Sequence, residues 1–400
     1  MLSESNLRAV FVMPAYRLNL FGFLTSPDIC EGSGGADLPA NLGFWDQRLA
    51  LEWTHKNVSY FGGDASNITV GGYSAGSHST FHQLAYDLGV SDSKSVIRRV
   101  LMLSNGPGLR PKSLDEAQQQ FNELLKVLNI SQDLPDSEKL AKLQSIDSKK
   151  LLDASIRMKH HQFRAITDGE FVRHGLFNEI DNGVFARQMK RRGIRLLIGE
   201  CRDEHFVYGT WRPPNNSVDS MMRRFEADYQ RSAVEAIVRH YCPDGKLPDG
   251  WKDWRDAFGR IYANIQIHAM ERGMIDKLVK HGAGDLIFRY RIEWRASCVT
   301  MPKKWGVTHG TDMAIWFWGA GGKLKAKEKK IVQKAFHNNF AKFLDGNEGE
   351  MDWGTKSPLQ LRVLKSNGSI AIEEDKQLED GKEVWDILKK AGLTTIQAKL

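Results

Sequence analysis

The sequence predicts a mostly parallel α/β sheet flanked by helices and enlarged by helical insertions. Three observations carry this. Short apolar or β-branched runs alternate with segments of helical period. Two stretches, roughly 111–190 and 218–281, are amphipathic and helical in texture. No internal repeat, low-complexity tract or Pro/Ser-rich linker divides the 400 residues. Length alone allows two or three domains, or one large α/β domain with insertions.

Taken in order, Ala9-Val10-Phe11-Val12-Met13 is a continuous apolar run of the kind buried on both faces of a parallel sheet. Trp45 to Val58 has apolar residues at helical spacing. Ile68-Thr69-Val70 follows a Gly62-Gly63-Asp64 turn and is β-branched, which predicts a strand. His78 to Leu88 predicts a helix directly after it. Val96 to Leu103 holds a third strand, stopped by Asn105-Gly106-Pro107-Gly108. Gln118 to Leu128 and Ser137 to Leu152 predict helices. Arg195 to Gly199 predicts a buried strand and Asp285 to Ile292 a later one. Ile331 to Leu344 and Lys382 to Ala391 predict helices near the end.

Composition narrows the class. Lys and Arg total 56 against 49 Asp and Glu, a formal charge of +7. The basic clusters Lys190–Arg192 and Lys323–Lys330 have no interleaved aromatics, so no nucleic-acid groove is expected. No apolar run approaches the ~18 residues of a membrane helix, so no stable membrane insertion is expected. Cys30, Cys201, Cys242 and Cys298 have neither disulfide-scaffold density nor zinc spacing. MLSESNLRAV lacks the regions of a signal peptide, which places the chain as it stands in the cytoplasm. Five N-x-S/T sequons, headed by Asn57, Asn67, Asn129, Asn215 and Asn367, point toward secretion if the chain begins earlier.

The chemistry centres on Gly72-Tyr73-Ser74-Ala75-Gly76, a G-x-S-x-G pattern between a predicted strand and a predicted helix. In a nucleophile elbow the serine sits on a strained strand-to-helix turn. Glycines at 72 and 76 are expected to let strand and helix pass closely. Ala75 N–H is expected to point at the developing oxyanion. A serine nucleophile needs a base and an orienting carboxylate, and α/β-hydrolases place them in the order Ser, acid, His. Glu204 follows the strand at 195–199 and His309 the strand at 285–292. The predicted site is therefore Ser74, Glu204 and His309 with Ala75 in the oxyanion hole. Asp203 competes with Glu204 on position. His78 and His82 stand at i,i+4, but Ser79 occupies the place a zinc motif gives to Glu, so helix packing is expected rather than metal.

These motifs resemble the type-B carboxylesterase family, the group of cholinesterases, carboxylesterases and some fungal lipases. Tyr16-Arg17-Leu18 with Phe21-Gly22-Phe23-Leu24 is similar to its YRL-x-x-FGFL segment. Asn41-Leu42-Gly43 through Trp53 is similar to N-x-G-x-x-D-Q-x-x-A-L-x-W, and Phe61 to Asp64 to its FGGD turn. Asp203-Glu204 matches the D-E around the family's catalytic Glu, and His309 with Asp312 its H-x-x-D. The resemblance implies one α/β-hydrolase domain over 1–400 and hydrolysis of small-molecule esters through an acyl-serine, with no metal or organic cofactor. It favours Glu204 over Asp203. It sets no oligomeric state.

Three departures stand out. Tyr73 replaces the usual Glu of G-E-S-A-G, at a position expected to point away from the serine. His205 replaces a Gly after the acid, so a differently shaped acid loop is expected. No HGG(G) oxyanion loop occurs before Tyr16-Arg17-Leu18. The only comparable run, Gly319-Ala320-Gly321-Gly322, follows His309. The expectation is a fold short of its N-terminal strands, lacking an interior strand between Ala9–Met13 and Ile68–Val70, with impaired activity. The alternative is a catalytically inactive esterase-fold binding protein or a truncated gene product. Trp211, Trp251 and Trp254 are expected near an aromatic gorge. Arg289, Arg291 and Arg295 are given no role.

Overall fold

A computed structural model describes residues 7–31 and 38–395. Its centre is a six-stranded sheet. The strands in chain order are β1 (Thr69–Tyr73), β2 (Arg99–Leu103), β3 (Lys112–Ser113), β4 (Ile166–Thr167), β5 (Arg195–Cys201), β6 (Ile287–Ile292), β7 (Gln360–Leu364) and β8 (Ile370–Glu374). The main sheet runs β1-β2-β5-β6-β7-β8, while β3 and β4 form a separate short pair. All main-sheet neighbours are parallel except the β7–β8 hairpin. Parallel strands need crossovers, and the helices that supply them cover both faces. One face packs on Phe81, Leu84, Phe185 and Met274, the other on Tyr290, Trp316, Phe336 and Phe343. β5 reads Arg-Leu-Leu-Ile-Gly-Glu-Cys and is buried from Leu196 to Cys201, as a central strand covered on both sides should be.

The helices Leu42–Asn57 and Ala75–Gly89 and strands β1, β2, β5 and β6 stand where the sequence places them. Three elements differ. Ala9–Met13 forms no strand. Val10, Phe11 and Val12 are over two-fifths exposed and Met13 is 88% exposed. Among the described residues no strand lies beside β1 on that side, so the run has no ladder to join and no second sheet face to bury against. The expected interior gap is therefore an edge at β1. The helix expected over Ser137–Leu152 is two helices, Asp136–Ser145 and Ser148–Arg157. Asp147 starts the second by accepting the backbone N–H groups of Lys149 and Lys150. The β7–β8 hairpin was not expected. Its signal is Leu361 to Leu364 followed by Asn367-Gly368, with Gly368 at φ +85° in the turn.

Candidate active site

The three predicted residues come from the carboxyl ends of β1, β5 and β6, on one edge of the sheet. Brought together there, they form a continuous hydrogen-bonded row. Ser74 sits between β1 and the helix Ala75–Gly89 at φ 56°, ψ −119°, a conformation a non-glycine residue adopts only under constraint. Its N–H donates to the Leu103 carbonyl at 2.9 Å, which pins the turn to β2. A Cβ on Gly72 would lie 2.0 Å from the Gly76 carbonyl oxygen, so Gly72 is required sterically. Gly76 differs from expectation. Its own Cβ position is open, and only its backbone makes the close approach.

His309 Nε2 lies 2.6 Å from Ser74 Oγ, and His309 Nδ1 lies 2.7 Å from Glu204 Oε2. Glu204 is fully buried and His309 is 4% exposed. The other carboxylate oxygen of Glu204 accepts the Cys201 N–H at 2.8 Å. Asp203 is engaged elsewhere. It accepts the Val307 N–H at 2.8 Å and pairs with Arg202. Position alone left the two acids open; the side-chain directions separate them. Ala75 is the first residue of its helix, where backbone N–H groups lack helical acceptors.

The departures in sequence are absorbed locally. The Tyr73 ring lies 5.2 Å from the His309 ring, so it packs on the imidazole. Burial holds its hydroxyl well above the ordinary tyrosine range, and among the described residues that hydroxyl has no hydrogen-bond partner. His205 opens a short helix without positive φ, so the acid loop needs no glycine there. Gly319–Gly322 turns back on itself beside Cys298.

Sequence reasoning missed Tyr208 and gave Asp312 only as part of the H-x-x-D match. Tyr208 packs on His309 at 5.0 Å and on Tyr262 at 5.0 Å. Asp312 is buried and accepts the Ser104 hydroxyl at 2.9 Å. Burial first, then the Glu204 charge, raises its pKa from 3.8 to about 6. Arg295 holds the loop before His309 through the Met301, Pro302 and Gly306 carbonyls. Arg289 pairs with Asp375, and Arg291 with Glu200. Of the three tryptophans, Trp211 meets His309 edge-on at 6.1 Å. Trp251 packs against Tyr241 and Arg260. Trp254 begins the helix Trp254–Ala263.

His78 and His82 face each other with Nε2 atoms 3.2 Å apart. Burial pushes His78 down to about 4 and holds His82 well below the ordinary histidine range. Among the described residues no group of three or more His, Cys, Asp or Glu side chains is arranged to hold a metal. No described helix is long and apolar enough to cross a membrane.

Comparisons with known proteins agree with this architecture. The model of the carboxylesterase family matches residues 1–380. A carboxylic ester hydrolase of Gibberella moniliformis is 46% identical over 397 residues, covering 97% of this chain and 72% of its own length. An uncharacterized esterase/lipase of Schizosaccharomyces pombe is 36% identical, covering 96% and 70%. Acetylcholinesterase 1 of Caenorhabditis elegans is 27% identical, covering 85% of this chain and 58% of its own length. The crystal structure of Aspergillus niger EstA shares the fold at TM-score 0.71 and 21% identity, covering 94% of this chain and 73% of that one. The chain belongs to the carboxylesterase family and has an α/β-hydrolase fold.

Proposed function

We propose that the protein hydrolyses small-molecule carboxylic esters through an acyl-serine intermediate. The observation that carries this is the Ser74–His309–Glu204 row, with contacts of 2.6 and 2.7 Å. Ser74 Oγ attacks the ester carbonyl as His309 Nε2 accepts its proton. Glu204 holds Nδ1–H and stabilises the imidazolium. The Ala75 N–H donates to the tetrahedral oxyanion. Collapse expels the alcohol, which takes the proton from His309. A water molecule then attacks the acyl-serine with His309 again as base, releasing the acid and restoring Ser74.

Family membership and the Gibberella relative, a carboxylic ester hydrolase by name, support the same reading. We also read residues 1–400 as one domain, because the row draws on strands spread from β1 to β6. The test is hydrolysis of short p-nitrophenyl esters by the full chain. Ser74→Ala is expected to remove the activity. Equal rates for the two proteins contradict the assignment.

A further inference from the structure

A cavity of about 280 Å³ has His78, Arg110, Lys112 and Arg164 in its wall. His78 stands one helical turn from Ser74, and its N–H donates to the Ser74 carbonyl at 3.1 Å. Four helical residues advance about 6 Å. The wall also reaches the site through side chains. Arg164 bonds the Tyr262 hydroxyl, Tyr262 stacks on Tyr208, and Tyr208 lies on His309. The volume is near the lower end of small-molecule pockets, about 300 Å³.

Asp228 and Glu226 in this wall face cations, whereas Glu116, Lys112 and Arg110 are bonded to neutral groups. Asp228 is held by Arg164 and Arg224. Glu116 accepts the Ser113 N–H and the Gln230 amide. Glu226 faces Arg231 at 3.9 Å. By contrast, Lys112 Nζ donates to the Glu226 and Ala227 carbonyls at 2.8 and 3.4 Å. Arg110 donates to the Thr395 carbonyl and to Gln230 Oε1, each at 2.9 Å. Among the described residues neither cation has a carboxylate partner. Burial pulls both below their ordinary pKa values, outweighing the opposite pull of the Glu116 carboxylate on each. Arg110 and Lys112 are half-buried, and a half-buried cation held by neutral acceptors gains from an opposite charge brought in by a ligand.

We propose that this cavity seats a carboxylate of the substrate, on Arg110 and Lys112, while the scissile ester lies at Ser74. Preferred substrates are then esters that carry a carboxylate a short spacer from the ester group. Three acids in the same wall favour a singly charged group over a phosphate dianion. The proposal rests on the ester-hydrolase reading and names its substrate class.

The experiment uses the full chain. Mono-p-nitrophenyl esters of succinic, adipic and suberic acid are compared with their neutral methyl-capped counterparts. The expected result is at least a tenfold higher kcat/KM for one free-acid member over its neutral twin, expressed in KM. Lys112→Met and Arg110→Gln are expected to bring that ratio to within about twofold of one. A ratio at or below one in the wild type overturns the proposal, as does a ratio that neither variant lowers. A binding arm separates the two readings. Monomethyl adipate is titrated calorimetrically into Ser74→Ala and into Ser74→Ala/Lys112→Met. Lys112-dependent binding without hydrolysis of any ester supports the cavity and contradicts the triad. Hydrolysis of all esters with no free-acid preference does the reverse. Neither hydrolysis nor binding overturns both.

Discussion

The Ser104 hydroxyl donates a 2.9 Å hydrogen bond to Oδ2 of Asp312, tying the end of β2 to the segment that carries His309. Among the described residues the other oxygen of Asp312 has no hydrogen-bond partner. A buried carboxyl left half-satisfied beside the Glu204 charge resists ionisation, and its pKa rises to about 6.

This sets a pH dependence with a definite sign. The folded-state pKa lies above the ordinary 3.8, so the folded protein holds this proton through a window the unfolded chain does not. The contribution to stability is full below about 3.8 and is lost as pH rises through 6. The loss is on the order of 3 kcal/mol. Asp312→Asn removes that ionisation. Thermal melts at pH 4.5 and 7.5 are expected to show the variant gaining on the wild type at the higher pH. An equal difference at the two pH values contradicts it.

The two elbow glycines are predicted to behave differently. Gly72→Ala forces a Cβ to 2.0 Å from a backbone oxygen that cannot yield without moving the helix. A loss of at least about 3 kcal/mol, or failure to fold, is expected. Gly76→Ala meets open space within a helix and is expected to be neutral or stabilising by up to about 1 kcal/mol. Urea unfolding of the pair checks this. Similar costs at both positions would mean the strand-to-helix approach is not the constraint.

Glu204 and Asp203 are also separable by experiment. Glu204→Gln keeps the shape but removes the charge facing His309, and kcat is expected to fall ~10³–10⁴-fold. Asp203→Asn weakens the acceptor of the Val307 N–H and the Arg202 pair, so its effect is expected in stability, with kcat within about tenfold of wild type. Steady-state kinetics and thermal melts on both variants decide the matter. A larger kcat loss at Asp203 would reverse the roles.

Much of the site was legible because it is written in local chemistry. The Gly72–Gly76 turn needs small residues at fixed spacing, and the acid and histidine fall in loops after strands. The family resemblance favours Glu204 over Asp203, but spacing alone does not separate them, because side-chain direction is not carried by position along a chain. Ala9–Met13 has the composition of a buried strand, yet a strand forms only where a ladder awaits it, and none stands beside β1. The β7–β8 hairpin was overlooked although Asn367-Gly368 marks its turn, because β8 alternates with charged residues and lacks an apolar burst. Tyr208, Arg110 and the Ser104 partner of Asp312 are brought in from far along the chain, which no local pattern records.

The central claim is that Ser74 is an activated nucleophile. The direct measurement is labelling of the native full chain with a fluorophosphonate, followed by mass spectrometry of its peptides. The predicted result is one adduct per chain, on Ser74, lost in His309→Ala and on denaturation before labelling. An adduct on another residue, or an unlabelled Ser74 in folded protein, would contradict the account.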